Sequence, residues 1–157
     1  MLNQRDHRDI VSTIHEFCRA FDQQHWTALR RCLAANLFVD YSSFRGTLPT
    51  RITADEFVAL RQTAFEGLVT QHRSANHLVT FTDQGARCRF DFVIHRWRRD
   101  AADARFFHTF RYNEVVLRVA EGGPYRWVIE SITQQALRSE GSPELHRSRR
   151  QHSDRNA

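Results

Sequence analysis

The sequence predicts an α+β fold in which a curved antiparallel (mixed) sheet wraps around N-terminal helices. Two observations carry that expectation. Up to residue 65, apolar side chains recur at spacings of three and four, as along one face of a helix. From residue 75 onward the period becomes two, in long runs separated by the turns TDQG (82–85) and AEGGP (120–124). Helices first and a meander of strands afterwards place the helices on one face of the sheet. A sheet curved around them makes a cone whose open mouth suits a small ligand.

The first helix is read over 6–24, where Ile10, Ile14, Phe17, Cys18 and Phe21 share a face. A second spans about 26–34, with Trp26, Leu29 and Leu33 inward. LFVDYSSF (37–44) has strand composition and is ended by Gly46 and Pro49. Thr53, with Glu56 three positions on, forms a capping box for a helix reaching about Phe65. Its inner positions are Phe57, Leu60 and Ala64, and Gly67 closes it. Strands follow at 75–82, 86–98, 105–119 and 125–136, with RRDAADA (98–104) joining the middle pair. After Leu137 the composition turns polar. The domain is therefore assigned to 1–137, and 138–157 to an Arg-rich tail, partly disordered beyond about residue 145.

Composition narrows the function. At 157 residues the chain is read as one domain, and 12 phenylalanines can fill its core. The first ten residues are charged, unlike a signal peptide, and no apolar run reaches the roughly 20 residues of a membrane span. The expectation is a soluble, cytoplasmic protein with no membrane partner. Every basic residue is arginine, which excludes Schiff-base and phosphate-loop lysines. The net charge of +5 is no sign of a nucleic-acid partner. The runs Arg96, Arg98, Arg99 and Arg147, Arg149, Arg150 lack interleaved aromatics apart from Trp97. Cys18, Cys32 and Cys88 are odd in number and widely spaced, and read as small buried side chains rather than disulfides or zinc ligands. GxGxxG, GxSxG, HExxH and CxxC do not occur, so the usual nucleotide, hydrolase and zinc signatures are missing.

Alternation sorts the strand faces. In RCRFDFVIHRW (87–97), Cys88, Phe90, Phe92 and Ile94 form a plain hydrophobic stripe. Asp91, Val93, His95 and Trp97 share the other face, which reads either as a polar pocket lining or as a solvated face. In the next strand Phe107, Thr109, Arg111, Asn113, Val115 and Leu117 align, running from apolar to polar and back as a pocket wall would. Asp22, directly after Phe21, is the acid best placed to reach inward. A buried carboxylate needs a partner, and a histidine is the obvious one. Such a pair fixes the imidazole tautomer and raises its basicity, as general acid–base work requires.

The stretches FDQQHWTALRRCLAANLFVDYSSF, ADEFV, TQH and VIHRW together resemble scytalone dehydratase and its bacterial relatives. These belong to the nuclear transport factor 2-like (cystatin-like) superfamily, alongside SnoaL-like polyketide cyclases and steroid isomerases. The resemblance spans about residues 10–136. It implies a sheet cone around a catalytic Asp–His pair, with Asp22 orienting the base and His72 acting as general base. Tyr41 would polarise the carbonyl, His95 would be the second pocket histidine, and Asn113 would hydrogen-bond the substrate. Phe21, Trp26, Phe44, Val93 and Arg111 are expected to complete the substrate-binding set, and no metal or organic cofactor is implied, because the pocket residues alone can run an elimination or an enolisation. Two positions depart from the family pattern: Phe21 stands where its dehydratases place a tyrosine, and Arg111 where they carry a small hydroxyl residue. A pocket arginine would pair with Asp91 or clamp an acidic or phenolate substrate.

Three functions follow from these residues. The first is a cofactor-free lyase that removes water from a polycyclic or polyketide-derived hydroxy-carbonyl compound. The second is an isomerase or cyclase sharing its enolisation step. The third is a non-catalytic ligand-binding or assembly module. The expected partners are a small aromatic or polycyclic molecule and further copies of the chain, as a dimer or trimer. Of the two histidines in GLVTQHRSANHL (67–78), His72 is read as chemical and His77 as structural.

Overall fold

In the computed structural model, which describes residues 4–146, the long strands of the second half curl around the first helix. Helix α1 (Gln4–Asp22) and short α2 (Trp26–Arg31) lead into strand β1 (Leu33–Asp40). A single turn α3 (Ser42–Arg45), strand β2 (Thr50–Thr53) and helix α4 (Ala54–Ala64) follow. The remainder is β3 (Leu68–Thr82), β4 (Gly85–Arg98), β5 (Phe106–Val119), β6 (Trp127–Gly141) and a 3-10 turn, Pro143–His146. The strand order is β2-β1-β6-β5-β4-β3; only the β1–β6 pair is parallel, so the sheet is mixed.

Four irregularities bend the sheet, one of them in the β1–β6 pair between Leu33 and Phe38. Another lies in β3 between Ala75 and Leu78, where Asn76 adopts a φ of 55°. Two more lie along the β5–β6 ladder, at Phe110/Arg111 and Val116/Leu117. Each adds local twist, and together they curl the sheet. The stripe Ile10, Ile14, Phe17 and Phe21 of α1 packs into one core with Phe90, Phe92, Ile94, Val115 and Leu117 of the sheet. The expected capping box forms: Thr53 Oγ1 accepts from the Glu56 amide, and the Glu56 carboxylate accepts from the Thr53 amide.

Several boundaries differ from those expected, each for a local reason. β3 starts at Leu68 rather than at residue 75, so TQH lies within a strand. The strand read over 37–44 stops at Asp40, because the Asp40 carboxylate accepts from the Ser42 amide (3.0 Å) and hydroxyl (2.6 Å) and turns the chain into α3. Leu33 opens β1 instead of ending α2. Leu60 is 47% exposed rather than inward; Arg61 instead lies over the Phe57 ring, at 4.7 Å from its centroid. The sheet also runs past the expected domain end at 137. β6 continues to Gly141, opposite Phe107, and Leu145 is buried. Gly141 has a φ of 93°, and a side chain there would overlap the Phe106 carbonyl. The remainder of the expected tail, 147–157, lies outside the described residues.

The three cysteines are free and buried. Burial pushes the Cys18 and Cys32 thiols up to about 12 and Cys88 to about 11, so none offers a thiolate at neutral pH. No described helix is long and apolar enough to cross a membrane.

Near the start of α1, Asp6 is buried and accepts a hydrogen bond from Trp127 Nε1 (3.2 Å), with Arg126 Nε at 2.9 Å. Asp6→Ala leaves the buried indole N–H unsatisfied. It is expected to cost about 1–3 kcal/mol, read as a lower urea midpoint at unchanged slope.

Candidate active site

Asp22 is the last residue of α1, where the partial negative charge of a helix C-terminus opposes a carboxylate. Strand β3 supplies what holds it there. Its oxygens accept from Thr70 Oγ1 (3.1 Å) and from the His72 amide (3.0 Å to each), and His72 Nδ1 lies 2.6 Å from Oδ1. Thr70 and His72 are two residues apart and so share the inward face of the strand, which is why both meet one carboxylate. The turn after α1 is clamped to the same place. Gln24, at a φ of 51°, donates through Nε2 to the carbonyls of Phe65 (3.2 Å) and Leu68 (3.0 Å).

A carboxylate can only accept, so this bonding assigns the ring proton of neutral His72 to Nδ1 and leaves the Nε2 lone pair free. The imidazole is buried in an aromatic box. Phe21 (5.0 Å between centroids) and Phe65 (5.9 Å) stack on it, and Phe92 is tilted at 5.7 Å. Burial pushes its pKa below the ordinary 6.5, reinforced by Arg96 and Arg111 and opposed by Asp22. His72 is therefore a neutral base near pH 7.

The imidazole edges a small chamber of about 40 Å³. Tyr41, just after β1, and Gln134 of β6 line it, together with four arginines: Arg45, Arg61, Arg96 and Arg111. Arg45 and Arg61 also border an outer cleft of about 920 Å³, walled by Phe44, Phe107 and Phe110 among others. Their guanidinium carbons lie 5.5 and 5.2 Å from the Tyr41 ring centroid. Arg96 is 1% exposed; its Nη1 donates to Thr109 Oγ1 (3.1 Å) and its Nε has no partner. Arg111 is 5% exposed and donates through Nη1 to Gln134 Oε1, while its Nε and Nη2 have no partner. Its guanidinium carbon sits 3.8 Å from the Phe44 ring centroid. Burial, then the neighbouring arginines, bring Arg96 down to about 8. Burial chiefly brings Arg111 down to about 10, partly opposed by Tyr41.

The geometry thus gathers Asp22, His72, Tyr41, Phe21 and Arg111, and not the rest of the expected set. His95 and Val93 lie on the opposite sheet face; His95 stacks on Trp97 (5.8 Å) and meets His108 edge-on (4.5 Å). The inward positions of β4 are Ile94 and Arg96, because the alternation begun by Cys88, Phe90 and Phe92 continues unbroken. VIHRW therefore presents its arginine, not its histidine, to the chamber. Asp91 shares the outer face and accepts from Asn76 Nδ2 (2.6 Å), so it does not pair with Arg111. Asn113 points inward and is buried, with neither amide atom partnered. It sits opposite Phe90 and Gln134, outside the chamber lining. Trp26 supports the box from behind, edge-on to Phe21 (6.4 Å) and Phe65 (6.2 Å), and Phe44 belongs to the outer cleft. His77 packs on Phe90 (5.4 Å) and His15 (5.2 Å) at the β3 bulge. Among the described residues no three His, Cys, Asp or Glu side chains converge as metal ligands.

Sequence reasoning missed Arg96, Arg45, Arg61, Gln134 and Thr70. Two were within reach: Arg96 continues the Phe92–Ile94 stripe, and Thr70 lies two before His72. Arg45 and Arg61 depend on tertiary placement and leave no such signal.

A 32% identical stretch of 81 residues is shared with scytalone dehydratase-like protein claB of Passalora fulva, covering 49% of this chain and 50% of that protein. Another of 55 residues, 34% identical, is shared with scytalone dehydratase PfmaJ of Pestalotiopsis fici, covering 35% and 29%. The matches thus span half or less of these relatives. The fold matches the Kfla4162 protein of Kribbella flavida (TM-score 0.77, 19% identity, 87% of this chain and 94% of that one). It also matches a nuclear transport factor 2-like family protein of Streptomyces avermitilis (TM-score 0.71, 12% identity, 87% and 99%). The SnoaL-like domain family matches residues 4–133, most of the sheet and all four helices, and the chain belongs to that family.

Proposed function

We propose that the protein is a cofactor-independent lyase that dehydrates a hydroxy-carbonyl compound. The observation that carries the proposal is the Asp22–His72 pair, 2.6 Å apart, with Nε2 free at the edge of an aromatic-walled chamber. His72 Nε2 takes the proton from the carbon next to the carbonyl. The electron pair moves onto the carbonyl oxygen, and the resulting enolate is stabilised by the Tyr41 hydroxyl, which lines the same chamber. The enolate then reforms the carbonyl and expels the β-hydroxyl. That group takes the proton back from Nε2 and departs as water, leaving His72 neutral again. Asp22 stabilises the imidazolium between the two steps and keeps the ring proton on Nδ1.

The same pair serves an isomerase or cyclase, in which the enolate is reprotonated or attacks another carbon instead of losing hydroxide. Product mass separates the outcomes, since only the lyase product is lighter by one water.

Replacing His72 with Asn is expected to lower turnover of an accepted hydroxy-carbonyl by about 10²–10⁴-fold, and Asp22→Asn by a similar order. Circular dichroism should show the fold retained in both. Full activity in His72→Asn would remove this residue as the base. The pH profile supplies a second check. A histidine whose pKa is pushed below its ordinary value stays competent further down in pH, so the acid limb of kcat/KM should be centred below pH 6.5. An acid limb centred above pH 7 would contradict a depressed His72.

A further inference from the structure

The chamber lining is unbalanced in charge. Four arginines face it and no carboxylate does, while Asp22 lies behind His72 with its acceptors engaged. Arg96 and Arg111 are 1% and 5% exposed, yet Arg96 Nε and Arg111 Nε and Nη2 have no hydrogen-bond partner. Arg111 meets only the Gln134 oxygen, which is neutral, and the face of Phe44. Buried charge is retained when something compensates it, and an unmet N–H of a buried guanidinium is a donor awaiting an acceptor. A single anion within reach of both side chains would answer these orphan donors. A guanidinium fork matches a planar two-oxygen group best. The surroundings set the rest of the ligand. The inner chamber, at about 40 Å³, admits little beyond the anionic group and the carbon next to it, while the outer cleft offers Phe44, Phe107 and Phe110 as apolar walls.

We propose that Arg96 and Arg111 form a carboxylate-binding subsite, so that the substrate is an anionic hydroxy-carbonyl acid with its carboxylate close to the reacting carbon and an apolar or aromatic remainder in the outer cleft. The inference rests on the reading that His72 faces the substrate in this chamber. It narrows that reading from hydroxy-carbonyl compounds in general to acids. No bond is made or broken at the subsite; Arg96 and Arg111 position the substrate through charge-assisted hydrogen bonds.

Binding tests the subsite without reference to turnover. Benzoate is titrated calorimetrically into the wild-type chain, with benzamide as its neutral counterpart and inorganic phosphate as a different anion. Saturable one-to-one binding of benzoate is expected, with benzamide and phosphate at least tenfold weaker. Arg96→Gln and Arg111→Gln should each weaken benzoate at least tenfold. Benzoate should raise the wild-type Tm and leave that of the Arg96→Gln/Arg111→Gln double variant unmoved. The wild-type titration and Tm shift decide the matter even where a variant fails to fold. Equal affinity for benzamide, tighter binding of phosphate, undiminished benzoate binding in both single variants, or no saturable binding each overturns the subsite. Turnover of neutral hydroxy ketones with no benzoate binding would overturn the subsite and leave the lyase standing. Benzoate binding that follows the arginines, with no elimination from any hydroxy-carbonyl acid, would support the subsite and count against the lyase.

Discussion

The carboxylate of Asp22 is the point on which the site's construction turns. A negative charge at a helix C-terminus is opposed by about 0.3–1 kcal/mol. Hydrogen bonds to a charged group contribute about 1.5–3 kcal/mol each, so the Thr70 hydroxyl and the His72 amide and ring outweigh that opposition together. The arrangement needs three things of the chain at once. β3 must begin early enough to place Thr70 and His72 inward, α1 must end there, and the turn after α1 must be fixed against the start of β3. The left-handed Gln24, bonded to the Phe65 and Leu68 carbonyls, meets the last requirement. Phe21, just before that turn, and Phe65, at the end of α4, become the faces of the box around the imidazole. One carboxylate thus ties helix end, strand start and base together.

The second constraint is positive charge in the interior. Four arginines line the chamber without an acid among them, and two of those are all but completely buried. Each desolvated ion costs several kcal/mol unless its hydrogen bonds are satisfied. Here three guanidinium nitrogens are left unmet. A fold selected for stability alone would place apolar side chains at Arg96 and Arg111. Their retention breaks a local rule at the position where a ligand would sit, which is where such exceptions concentrate.

The helix periodicities, the capping box at Thr53 and Glu56, and the strand alternation were legible in the sequence because each is a local pattern. So was the inward stripe of β5 from Phe107 to Leu117, which put Arg111 on the chamber side. His95 shows where such reading breaks. Alternation separated the two faces of β4 correctly, but a strand's faces differ by a single residue, and the mixed face carrying His95 was taken as the pocket lining when the Phe92–Ile94–Arg96 face is the one that turns inward. Arg96 was concealed by its neighbours, since beside Arg98 and Arg99 it looks like part of a surface basic run. The end of the domain was obscured for a similar reason: LRSEG is polar, yet it extends β6 because it is paired to β5 at the sheet's end. Arg45 and Arg61 reach the chamber from two separate helices, and no one-dimensional pattern encodes that meeting.

The two constraints act on each other through His72. Arg96 and Arg111 lower the proton affinity of the imidazole and Asp22 raises it, with burial on the side of the arginines. A carboxylate seated between those arginines would offset their charge at the imidazole. The imidazole would then be a weak base in the unliganded protein and a stronger one once an acid has bound. Its proton affinity would rise at the moment a substrate carbon stands before Nε2, while a neutral molecule in the same chamber would meet the weaker base. On the proposed reading, recognition and proton transfer become one electrostatic device, in which the arginines that would select an acid also govern when the histidine could act on it.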